Sequence, residues 1–143
     1  MTLEDKELLL KDLCARLPYG VWVNRKFKSF KSDTKSVLNG YDIVAINQGE
    51  YDFCKPYLFP LSSMTEKQSM ELFKLFGISL VDSIGADYIK INECTGITFF
   101  LNNGFDVETH LDKLIDWLNK NHFDYRGLIS RGLAIDATGK DIY

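Results

Sequence analysis

The chain has 143 residues, 45% of them hydrophobic and 13% aromatic, with a formal net charge of -3. This length suits one domain, the composition excludes a disordered segment, and the net charge is too small to imply a partner. No apolar stretch approaches the roughly 20 residues that span a bilayer, so a membrane-crossing helix is excluded as well.

Thr2 is placed to cap a first helix, with Glu4 and Asp5 complementing the dipole of its first turn. Leu3, Leu9, Leu10, Leu13 and Leu17 give it an apolar face, and Pro18 and Gly20 stop it. Gly20 to Asn24 (containing Val-Trp-Val) reads as a strand, and residues 26–36 as a basic loop or extended hairpin. Tyr41 to Asn47 is β-branched and apolar, which predicts a central strand, and Tyr51 to Cys54 is expected to pair back on it. Lys55-Pro-Tyr-Leu-Phe-Pro-Leu-Ser-Ser-Met64 reads as a specified loop, richer in aromatics than a plain connection.

Ser63-Met-Thr-Glu66 is a capping box, and Thr65-Glu-Lys-Gln68 offers a second register for the same helix start. The helix that follows carries Met70, Leu72, Phe73, Leu75 and Phe76 as its core stripe and ends at Gly77. Residues 78–86 fit either a helical continuation or an extended segment. Tyr88 to Asn92 and Ile97 to Leu101 read as strands joined by a Cys-Thr-Gly turn. Asp106 caps a third helix over 107–121, with Val107, Leu111, Leu114, Ile115 and Leu118 inward. A helical turn near Leu128 and an irregular tail close the chain. Segregated helices and strands predict one α+β domain over residues 1–143, a mostly antiparallel sheet of about five strands covered on one side by three helices.

The N-terminal residues are acidic and lack the basic start and apolar run of a secretory signal. Three cysteines, Cys14, Cys54 and Cys94, make neither a disulfide framework nor a CxxC metal knuckle. Both features favour a reducing cytoplasm. Cys14 belongs to the leucine-rich helix and is expected in the core. Cys54 precedes Lys55, which would lower its pKa if both were exposed.

His110 and His122 lack the i, i+4 spacing of a helical zinc pair, and no metal or cofactor is implied. His122, Asp124 and Arg126 would share a face of an extended segment, letting a carboxylate orient an imidazole for a hydrolase or transferase. The competing structural reading has Asn121 end the helix, His122 meet its last carbonyls, and Asp124 or Arg126 tie the tail down. The sequence has no Gly-x-Ser-x-Gly elbow and no glycine-rich phosphate loop.

Between Arg25 and Lys35 five basic residues face one acid, a local +4 that leaves -7 on the rest of the chain. Within it Arg25, Lys26, Lys28 and Lys31 alternate with Phe27 and Phe30, a pattern that stacks single-stranded nucleic acid and also guards a strand edge. Lys55, Tyr57 and Phe59, stiffened by two prolines, form an aromatic ridge suited to a protein partner, or a seal over the sheet.

Three blocks carry a resemblance: residues 12–21 (Asp-Leu-Cys-Ala-Arg-Leu-Pro-Tyr-Gly-Val), residues 55–65 (Lys-Pro-Tyr-Leu-Phe-Pro-Leu-Ser-Ser-Met-Thr), and residues 117–129 with the following Gly132-Leu-Ala-Ile. The chain resembles a family of small proteins from gut Bacteroidetes, their phages and integrated elements, which has no assigned reaction. Two departures stand out. Phe59 occupies a position where the family pattern has an arginine, and the basic segment after Val23 is longer. The resemblance assigns no activity. The specified Pro-aromatic loop and the missing catalytic constellation point to a non-enzymatic accessory or protein-interaction protein of phage or mobile-element origin. Nucleic-acid binding through 25–35 would be peculiar to this chain.

Overall fold

The computed structural model describes residues 1–76, 78–80, 88–92, 97–101 and 107–143. Its elements run α1 (Leu3–Arg16), β1 (Trp22–Phe27), β2 (Thr34–Val37), α2 (Gly40–Gln48), β3 (Tyr51–Pro60), α3 (Glu66–Phe76), β4 (Ile78–Leu80), β5 (Tyr88–Asn92), β6 (Ile97–Leu101), α4 (Val107–Lys120), β7 (Phe123–Asp124) and β8 (Ile135–Asp136). This is an α+β fold. The main sheet has the order β2-β1-β3-β7, with β8 also on β3, and the second sheet has the order β4-β6-β5. The second sheet and the β1–β2 and β1–β3 pairs are antiparallel. The two-residue strands β7 and β8 run parallel to β3, which makes the main sheet mixed.

In α1, Thr2 Oγ1 accepts from the Asp5 N–H at 3.0 Å. The buried face is Leu9, Asp12, Leu13 and Arg16, while Leu3 and Leu17 are exposed and Cys14 lies outside rather than in the core. The buried face is therefore rotated by roughly 80°, a little under a quarter of a turn, from the face expected, and it includes the Asp12–Arg16 pair.

The predicted central strand over 41–47 is α2. Asn39 accepts from the Tyr41 and Asp42 N–H groups, the Asp42 carboxylate accepts from the Asn39 N–H, and Gly49 closes the end in a left-handed conformation at φ 72°. A capping box and a glycine C-cap outweigh a single Ile-Val pair in setting the local conformation. Ala45 and Ile46 are buried and Val44 is exposed. Consequently Tyr51 to Cys54 pairs with β1 across α2, not with its immediate neighbour.

The expected loop over 55–64 is largely strand. β3 continues through Pro60 because its prolines stand where no ladder bond is lost. Leu58 O accepts from the Ala137 N–H on the β8 side, so Pro56, two residues earlier, also turns that way and removes no bond to β1. Helix α3 opens on the Thr65–Gln68 register: Thr65 N–H donates to Gln68 Oε1 and Gln68 N–H to Thr65 Oγ1. Leu72 is buried, but Met70 and Leu75 are exposed, which corrects two positions of the predicted stripe. Gly77, Cys94, the 94–96 turn and Asp106 lie outside the described residues, as do the side chains of Phe73, Phe76, Val107, His110 and Leu111.

Two apolar clusters result. Leu9, Leu13, Val21, Val23, Ala45, Ile46 and Leu58 lie under α1 and α2. Leu72, Leu114, Trp117, Leu118 and Phe123 lie between α3, α4 and β7, with Trp117 stacked on Phe123 at 5.9 Å.

Candidate functional site

The three residues proposed for catalysis are each engaged elsewhere. His122 has φ 61°, and its N–H donates to Asn119 O as α4 ends. Its ring stacks on Tyr143 at 3.8 Å, and Nδ1 has no partner among the described residues. Burial, with help from the Arg16 charge, pushes its pKa down to about 4. Both Asp124 oxygens accept main-chain N–H groups, from Leu128 at 2.9 Å and Ile129 at 2.8 Å. Asp124 thus orients the turn and not the imidazole, because the left-handed His122 breaks the shared face expected of an extended segment. Arg126 lies over the Tyr125 ring at 5.0 Å, with Nε 3.3 Å from Asp12 Oδ1.

Behind them is a buried ionic network that spacing alone does not reveal. Arg16, wholly buried, donates from Nε to Asp12 Oδ2 and from Nη2 to Phe123 O, each at 2.7 Å. Tyr125 sits against both the Arg16 and Arg126 guanidiniums, and its hydroxyl donates to Asn119 Oδ1. These contacts tie α1 to the end of α4. The charges point inward, two guanidiniums sharing the one Asp12 carboxylate, and Asp12 Oδ1, Arg16 Nη1 and Arg126 Nε have no hydrogen-bond partner among the described residues.

The aromatic ridge is also inside. Tyr57 is 5% exposed, with Lys35 Nζ 5.1 Å from its ring centre. Phe59 is half-buried against Phe123 and Tyr143. Residues 55–59 therefore seal the sheet, because the segment is a central strand. Cys54 is buried, and burial pushes its thiol up to about 12, so Lys55 does not activate it.

What the surface does present is the tip of the β1–β2 hairpin. Arg25 is drawn inward: its Nη1 donates to both Asp42 oxygens at 2.7 Å and its Nη2 to Ser36 Oγ. The Tyr51 hydroxyl donates to the same carboxylate, and burial raises its pKa further. Lys26 pairs with Asp52 at 3.2 Å. Phe27 packs on Tyr51 at 4.4 Å and so anchors the tip. Phe30 rests edge-on against it at 5.6 Å yet is 63% exposed. Tyr41, delivered by the first turn of α2, lies 6.4 Å from Phe27 and is 56% exposed. Its hydroxyl donates to Glu50 at 2.8 Å. The three rings, with Lys28, Ser29 and Glu50, line a hollow of about 450 Å³.

The structure thus gathers Phe27, Phe30 and Lys28 from the basic segment, and it adds Tyr41, which the sequence reading assigns to a central strand. The Asn39-Gly-Tyr-Asp42 cap was the signal that would have found it. Among the described residues no group of three His, Cys, Asp or Glu side chains gathers to hold a metal, and no helix is long and apolar enough to cross a membrane. Comparison with known protein families, with curated proteins and with solved structures gave no match.

Proposed function

We propose that this chain is a non-enzymatic interaction protein that binds a protein partner through the Phe27–Phe30–Tyr41 surface. The observation that carries this reading is the exposure of Phe30 and Tyr41 around one hollow, both against Phe27 and each held by a contact within the chain. Aromatic rings fixed before binding lose little freedom when a partner covers them, and such anchors dominate interface energies. The accessory role in a phage or integrated element is part of the same proposal and is supported by the block resemblance.

A protein partner is favoured over a polyanion by the local charge balance. Asp42 and Asp52 neutralise Arg25 and Lys26, and Glu50 stands at the hollow itself. A second reading, single-stranded nucleic acid, is supported by Lys28 and Lys31 on either side of Phe30, with rings available for stacking. Capture of partners from the cytoplasm of the producing cells, with and without nuclease, separates the two. The protein reading expects a stoichiometric protein that survives nuclease and is lost with Phe30→Ser/Tyr41→Ser.

A further inference from the structure

A second hollow, of about 670 Å³, lies between the start of α1, the end of α2, β3 and the turn before β8. It meets the hairpin-tip hollow only at Lys28. Leu9, Ile46 and Leu133 contribute an apolar lining, and Lys6, Lys28, Lys55 and Arg131 stand around it with two acids, Asp5 and Asp52. Both acids are already engaged, Asp5 by Arg131 at 3.2 Å and Asp52 by Lys26 at 3.2 Å. The Lys6 ammonium donates to Asn47 O at 2.8 Å. Lys28 and Lys55 have no carboxylate partner among the described residues, so the lining carries uncompensated positive charge.

The wall adds a main-chain donor. The β1–β3 register is regular from Val23↔Pro56 to Lys26↔Phe53. Leu58 O is bonded on the β8 side, so by alternation Cys54, four residues earlier, turns its N–H away from β1 and toward this hollow. No bond from that N–H to a turn, a loop or a side chain is found among the described residues, although Cys54 is buried. A buried N–H needs a partner, and ionised acceptors are the strongest.

We infer that this groove is a binding site for a small organic anion, an apolar body carrying one carboxylate, sulfonate or phosphate. The apolar lining receives the body, the cations around the rim, Lys28 and Lys55 among them, attract the charge, and the Cys54 N–H supplies a fixed donor. Its volume falls within the roughly 300–1,000 Å³ of small-molecule sites. The excess of cations among the lining residues favours an anion over a neutral molecule of the same shape.

The probe is 8-anilinonaphthalene-1-sulfonate, titrated into the folded protein by fluorescence, with the Cys54 amide followed by NMR. The expected result is one saturable site, a shifted Cys54 amide, affinity weakened about tenfold by Lys55→Glu, and a smaller loss with Lys55→Gln. The double variant Phe30→Ser/Tyr41→Ser should bind the dye unchanged. Absence of saturable binding overturns the inference. So does binding that Lys55→Glu leaves intact but the double variant abolishes, which would place the dye on the hairpin tip. Neither failure bears on the partner reading, which is judged by capture of a protein.

Discussion

The Tyr143 hydroxyl donates to Tyr57 O at 2.7 Å and accepts from the Trp22 N–H at 3.1 Å, so a residue of the tail stands inside the β1–β3 ladder. One register step beyond Val23↔Pro56, Trp22 and Tyr57 would face each other directly. The phenol bridges them instead, and although the residue is 46% exposed, desolvation of its hydroxyl pushes the pKa up to about 12. Tyr143→Phe keeps the ring but leaves a main-chain donor and an acceptor without partners. A loss of about 1–3 kcal/mol in urea unfolding is expected. An unchanged midpoint would mean that water replaces the hydroxyl at no cost.

The same tail residue stacks on His122, and this predicts a pH dependence. The folded pKa, about 4, lies below the ordinary 6.5, so the folded state binds fewer protons than the unfolded chain. The contribution is fully present above pH 6.5 and is lost progressively as pH falls from there toward 4. His122→Asn suits the left-handed backbone and removes the titration. Its melting temperature should fall less than wild type between pH 7 and 4.5. Parallel curves would show that the ring is not desolvated.

Arg16 and Asp12 form a wholly buried pair, so removing one partner strands the other. Arg16→Met should cost about 3–5 kcal/mol, whereas Arg16→Met with Asp12→Leu should cost less than the sum of the single changes. Additive losses would indicate that the two side chains act by packing alone.

Tyr57→Ala is expected to destabilise by about 3–5 kcal/mol, as for other large aromatic truncations in a core. A near-neutral change would return Tyr57 to the surface ridge read from sequence.

How much was legible follows from what kind of signal each element carries. The Thr2 cap, a strand through Trp22–Asn24 and the two strands β5 and β6 rest on short-range patterns, and they stand where those patterns put them. By contrast, β1 runs on to Phe27, and β2 lies in and beyond the stretch read as a basic loop or hairpin. Helix α2 was misread because Ile43-Val44 was weighed above the Asn39/Asp42 box that brackets it. The loop over 55–64 was misread because two prolines usually end a strand, and only the pairing of Leu58 with the tail shows that Pro56 faces the permissive edge. Arg16 reads as an ordinary helix C-terminal cation. Its burial depends on Phe123 and Tyr125, more than a hundred residues away, which no local pattern encodes. Tyr41 was lost with the helix, so the aromatic surface was seen as Phe27 and Phe30 alone.

The most direct test of the account is paired capture, with wild type and Phe30→Ser/Tyr41→Ser as baits from the same nuclease-treated lysate, each bait first matched for melting temperature. The account predicts a stoichiometric protein on the wild-type bait and its loss from the variant at an unchanged midpoint. An equal yield on both baits, or a yield that vanishes with nuclease, would contradict it.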